Sequence, residues 1–151
     1  MDSVTYHFQD LDTLIEQVHS LFDTWEGDSD LLDIFSLSTL YQVKIATHEW
    51  LANLVQHANF EQDTTDVSLL VKPVDDRIFC VIEDNSDGFV LDEHLEIEPE
   101  YLDSLPERGM GLLILKICTE DLLYHGGEMQ AINRLEFYVS ADQDQWPNTP
   151  F

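Results

Sequence analysis

A carboxylate, an amide and an imidazole recur four residues apart in this 151-residue sequence, as Glu49, Asn53 and His57. At 3.6 residues per turn, that spacing stacks them along one side of a helix. A glutamate so placed can take a proton from a hydroxyl or a water. An asparagine one turn further on offers a neutral oxygen to a hard cation. Holding such a row against a core is costly unless something binds it. The competing explanation is a solvated helix face with three ordinary polar residues. His57 reads equally well as a partly buried, hydrogen-bonded histidine.

Two later segments can join this row. Asp84-Asn-Ser-Asp-Gly-Phe89 closes a β-rich run and carries a carboxylate and a glycine at a strand end. Arg108-Gly-Met-Gly-Leu112 opens an apolar stretch. Gly109 and Gly111 there would present backbone N–H groups at a helix N-terminus, where the dipole favours a phosphate. Arg108 is one of only six Lys and Arg residues. It suits a phosphate contact or a salt bridge to the acidic segment before it.

The elements that must position these residues can be read from periodicity. Val4–Phe8 alternates and predicts a short strand. Asp10 offers an N-cap, and Leu11, Leu14, Ile15, Val18, Leu21, Phe22 and Trp25 follow at helical spacing. Glu26–Asp30 is a turn-rich break. A second helix, capped by Ser36 or Ser38, runs to about Asn59 with Leu40, Val43, Trp50, Leu51, Leu54 and Ala58 on its apolar face. Val67–Lys72 and Ile78–Ile82 form a hairpin around Val74–Arg77. Phe89–Glu107 is long, acidic and broken by Pro99 and Pro106, as expected of a functional loop or lid. A leucine-rich helix then runs to Cys118, followed by a short strand at Leu122–Tyr124 and a last one through Leu135, Phe137 and Val139. The tail from Ala141 is polar and predicted to fray. Helices and antiparallel strands are segregated, so the expected class is α+β, a two-layer sandwich. One domain is expected over residues 1–140, with a lid at 89–107 and a tail at 141–151.

Asp and Glu number 31 against six Lys and Arg, for a net charge of −25. Direct contact with nucleic acid is disfavoured, because phosphate binding needs clustered cations. No apolar run is long enough to span a bilayer. No signal peptide is evident, so a cytoplasmic location is expected. The acidity fits a salt-rich cytoplasm: at about 1 M salt the Debye length is roughly 3 Å and surface carboxylates cease to repel. Stability is then expected to rise across a KCl melting series. Undiminished stability at low salt would count against halophily, leaving an acidic surface that meets a basic partner. Cys80 and Cys118 lie in apolar runs and are expected to be reduced and structural.

Taken in order, the three segments resemble the GHKL ATPase superfamily, and most of all its RsbW- and SpoIIAB-type anti-sigma-factor serine/threonine kinases. His48-Glu-Trp-Leu-Ala-Asn-Leu-Val-Gln-His-Ala58 matches the N-box. Asp84–Phe89 is similar to the first Gly box, and Gly109-Met110-Gly111-Leu112 to the second. Thr119-Glu-Asp121 fits the acidic residue after the third helix. The resemblance runs from about residue 4 to 140. It implies a mixed, mostly antiparallel sheet covered on one face by about three helices. It also implies ATP and Mg2+ as cofactors, with Glu49 as base, Asn53 as Mg2+ ligand and Asp84 as acceptor for the adenine amino group. Gly88 would lie close to the base, and Arg108, Gly109, Met110, Gly111 and Leu112 beside the phosphates. The implied partners are a sigma factor and a small antagonist protein phosphorylated on serine or threonine, with homodimerisation. One departure stands out: Ser86 replaces the family's first glycine. Serine takes left-handed backbone less cheaply than glycine, so weaker nucleotide binding is expected from it. The alternatives are a non-catalytic partner-binding module of the same fold and the detached ATP-binding domain of a histidine kinase system.

Overall fold

A computed structural model describes residues 4–58, 60, 65–89, 107–126 and 132–140. The elements run β1 (Val4–Phe8), α1 (Leu11–Glu26), α2 (Ser29–Ile34), α3 (Leu37–His57), β2 (Val67–Val74), β3 (Arg77–Asp84), α4 (Glu107–Cys118), β4 (Glu120–His125) and β5 (Asn133–Ser140). The strands form one sheet in the order β1-β2-β3-β5-β4. Every pairing among the described residues is antiparallel.

Local chemistry accounts for the boundaries. Asp10 caps α1 by accepting from Asp12 N at 3.0 Å. Ser36, one of the two expected caps, starts α3 by accepting from Thr39 N at 3.1 Å. The acidic break after α1 holds a short helix that periodicity does not reveal. Asp28 nucleates it by accepting from Asp30 N at 3.0 Å. The hairpin turn is tighter than expected, leaving Asp75 and Asp76 between the strands. Asp75 takes a left-handed φ of 56°, which aspartate tolerates.

Helix α3 packs against both α1 and α4. Leu40, Val43, Trp50, Leu51 and Leu54 are buried as expected. From the sheet, Val67, Leu69, Val71, Ile78, Cys80, Ile82, Leu135, Phe137 and Val139 join the same core. Both cysteines are free and buried. Burial pushes the thiol pKa of Cys118 up to about 11, with help from the Glu49 charge. Of the lid expected at 89–107, residues 90–106 lie outside the described residues, as does the expected tail at 141–151; Glu107 already belongs to α4. No helix among the described residues is long and apolar enough to cross a membrane.

Candidate functional site

The period of two along β3 puts Asp84 on the same face as Ile78, Cys80 and Ile82, toward the helices. A carboxylate on that face needs donors, and at the strand end it finds them. Asp84 is 2 % exposed. Its Oδ1 accepts from Ser86 N at 2.9 Å, from Ser86 Oγ and from Asn133 Nδ2 at 3.0 Å. Oδ2 receives no hydrogen bond from the described residues. Asn133 stands directly opposite Asp84 in the β3–β5 register. It also donates to Ser86 O at 2.8 Å.

Ser86 proves to be an asset to this turn. Its φ is not positive; Gly88 alone carries the left-handed backbone here, with φ 76°. The Ser86 hydroxyl accepts from Gly88 N at 3.0 Å and donates to Asp84. It therefore ties the two ends of the turn together, a bond that glycine could not make. The backbone cost expected from replacing the first glycine does not arise.

The turn is fixed to α3 through aromatic packing. Phe89 N donates to Tyr124 Oη at 2.9 Å. Trp50 lies across both rings, with centroids 5.7 Å from Phe89 and 5.2 Å from Tyr124. Burial raises the phenol pKa of Tyr124 to about 12; the Phe89 bond opposes this and the Asp84 charge adds to it. Gly126 completes the corner, because a Cβ there would meet Tyr124 Oη and Asn133 Oδ1. Sequence pattern ends a short strand at Tyr124 but gives no site role to Tyr124, Gly126 or Asn133. The available signal was a polar residue starting the alternating run of β5, and it acquires meaning only once the strands are paired.

The second glycine segment meets α3 at Glu49. A Cβ on Gly111 would lie 2.9 Å from Glu49 Oε2. Gly111 is thus the gap into which the glutamate reaches. It is the fifth residue of α4, where its own N–H is committed to the helix. Gly109, the third, lies in the first turn, whose N–H groups have no partner within the helix. The two glycines therefore differ in place: Gly109 lies in the first turn of α4, and Gly111 leaves room for Glu49. Leu112 packs half-buried against the core. The side chains of Arg108, Met110 and His57 lie outside the described residues. Gly111→Ala is expected to hold or raise stability, since glycine inside a helix costs roughly 0.5–1 kcal/mol relative to alanine. The new methyl should displace the Glu49 carboxylate. Melting curves read alongside any Glu49-dependent turnover check both effects.

Asn53 is 7 % exposed, and neither Oδ1 nor Nδ2 has a hydrogen-bond partner among the described residues. Gln42 Oε1, Thr47 Oγ1 and Trp50 Nε1 are also buried without partners among the described residues, but of these side chains Asn53 alone leaves both ends of an amide open. A buried, unbonded amide is costly by itself. One that lies a single helical turn from Glu49 is suited to a ligand. A hard cation fits the oxygen, so the residues present are compatible with Mg2+ carried on a phosphate. No cluster of three or more His, Cys, Asp or Glu able to hold a metal occurs among the described residues. Asp121, the acidic residue after α4, sits on a β4 bulge with φ 54°. It accepts from Arg77 Nη1 at 3.1 Å. That guanidinium also lies 3.9 Å over the Tyr138 ring.

An antiparallel sheet backed by helices, with an N-box on α3 and glycine turns at β3 and α4, defines a histidine kinase-like ATPase domain. The chain belongs to that family, whose model matches residues 9–135. Among curated proteins it is similar to serine-protein kinase RsbW of Bacillus subtilis (strain 168), at 27 % identity over 73 % of each chain. The RsbW of Bacillus cereus (strain AH187) is 26 % identical over 77 % of this chain and 74 % of that protein. Among solved structures, the histidine kinase domain of the Erythrobacter litoralis EL346 blue-light activated histidine kinase shares the fold, with a TM-score of 0.54 at 15 % identity. That alignment covers 90 % of this chain but only 63 % of the other.

Proposed function

We propose that this protein is an ATP-dependent serine/threonine kinase of the anti-sigma-factor type, which sequesters a sigma factor and phosphorylates a small antagonist protein. The observation that carries this reading is the Asn53 amide, buried and unpartnered at both ends, one turn from Glu49. Asn53 Oδ1 would coordinate Mg2+. Asp84 would accept from the adenine amino group through Oδ2, the oxygen its three protein donors leave free. Gly88 keeps the turn close and open, and the first turn of α4 with Gly109 faces the phosphates. Arg108, Met110 and Leu112 flank that turn. Glu49, given room by Gly111, takes the proton of the attacking hydroxyl. When bound, Mg-ATP supplies the γ-phosphoryl group: its bond to the bridging oxygen of ADP breaks as a bond to the acceptor oxygen forms. The RsbW relatives carry the name serine-protein kinase, which supports the acceptor class. A homodimer in the cytoplasm and a role in transcription regulation follow from the same reading, with residues 1–140 as one domain.

Titration calorimetry with Mg-ATP in high KCl, then transfer of labelled γ-phosphate to an antagonist protein, tests this. Saturable binding with transfer is expected. Binding without transfer would favour a non-catalytic partner-binding module. No binding would refute the nucleotide site.

A further inference from the structure

Between α1 and α3 lies a cleft of about 250 Å³, lined by His19, Tyr41, Lys44, Ile45, His48 and Glu49. Its walls are unusual for this protein. His19 Nε2 and His48 Nδ1 are 3.0 Å apart, and their rings stack at 5.0 Å. One ring donates and the other accepts, so the pair bridges the two helices. Lys44 is half-buried and makes no ion pair or hydrogen bond with the described residues. In a chain with 31 carboxylates, a half-buried ammonium without one is an exception. Arg77 and Arg134 both hold carboxylates, and Lys72 is exposed to water. Burial, then His48, then Lys44 hold the His19 pKa below its usual range against the pull of Asp23, as expected beside an unneutralised cation.

Glu49 joins this cleft to the site already described. It lines the cleft, and its Oε2 reaches the gap at Gly111. On the helical wheel Asn53 lies on one side of Glu49, while Ile45, Tyr41 and His48 lie on the other.

We propose that the α1–α3 cleft is the acceptor-side subsite of the kinase, holding a carboxylate side chain that neighbours the serine or threonine presented to Glu49. The proposal rests on the kinase reading above. Lys44 supplies the missing counter-charge. His19 Nδ1 and His48 Nε2, outside the histidine pair, retain hydrogen-bonding capacity. Tyr41 and Ile45 line the stem of the bound side chain.

The test uses the full chain with Mg-ADP, reading the imidazole proton resonances of His19 and His48 by NMR. Two short serine peptides are titrated, one with Asp beside the serine and one with Asn. The Asp peptide is expected to shift both histidines saturably. The Asn peptide should bind roughly ten- to hundredfold more weakly, the range for losing a charge-assisted hydrogen bond. Lys44→Met should erase that difference while Mg-ADP affinity holds. No histidine response, equal response to both peptides, or discrimination surviving in Lys44→Met would overturn the proposal. Response to inorganic phosphate but not to the Asp peptide would assign the cleft to a free anion and overturn it equally. If the protein binds no nucleotide, the kinase reading fails, and the same peptide titration without Mg-ADP still decides the cleft.

Discussion

Glu49→Gln is expected to remove phosphotransfer while leaving Mg-ATP binding in place. Glutamine keeps the length and shape of the side chain and still fits the gap at Gly111, but it cannot accept a proton as a carboxylate does. Loss of a positioned general base costs roughly 10²- to 10⁴-fold in rate. Stability should change little. Glu49 is half-buried and makes no hydrogen bond with the described residues. Removing one negative charge from a chain at −25 eases repulsion. Single-turnover transfer from labelled ATP gives the rate, and calorimetry gives the affinity. Turnover at the wild-type rate would remove Glu49 from its assigned role. Lost binding would show that the carboxylate holds the site together.

Asn53→Leu is expected to move stability and function in opposite directions. In the free protein the Asn53 amide is buried with both ends unbonded, and each unsatisfied buried group costs about 1–3 kcal/mol. A leucine, with the same branching and number of side-chain heavy atoms though somewhat bulkier, removes that cost and adds apolar burial. The free variant should be as stable as the parent or more so by about 1 kcal/mol, which at this chain length is roughly 2–4 °C in Tm. Binding should respond in the other sense. A ligand at 100 times its Kd stabilises the native state by about 2.7 kcal/mol. Mg-ATP should give the parent a gain of that order and the variant none. Urea melts with and without Mg-ATP measure both quantities. A free variant that is markedly destabilised would mean that the amide has a partner within the protein.

The two substitutions separate chemistry from binding because Glu49 and Asn53 differ in surroundings although both lie on α3. Glu49 is half-buried, with room supplied by another helix. Asn53 is buried, in an environment that leaves its polar ends unmet. Their spacing alone does not reveal this difference, since it places both on one face of one helix.

Much of the fold is legible in local sequence. Asp10 and Ser36 are strong caps for N–H groups that no helix can satisfy internally. The apolar residues of α1 and α3 repeat at 3.6, and those of β2, β3 and β5 at two, because burial selects one face of each element. Helix α2 escapes such a reading. It is six residues long and set by a single aspartate cap, too short for any period to emerge.

The site divides in the same way. Glu49, Asn53, Asp84 and the glycine turns stand out because each is a polar or backbone-permissive residue in an otherwise apolar context. Their convergence is non-local. Trp50 carries α3 onto Phe89 and Tyr124, and Gly111 admits Glu49. Asn133 acquires its role only from strand register, which pairs it with a residue 49 positions away. Ser86 is the sharpest case. By residue type it is a poor substitute for glycine, yet the fold gives it an ordinary φ and a hydroxyl bridge from Gly88 to Asp84. Sequence determined which residues are able to bind or react, because side-chain chemistry and periodicity are local properties. Tertiary structure decided which of them meet and which hydrogen bonds go unmade, because these depend on contacts between segments far apart in the chain.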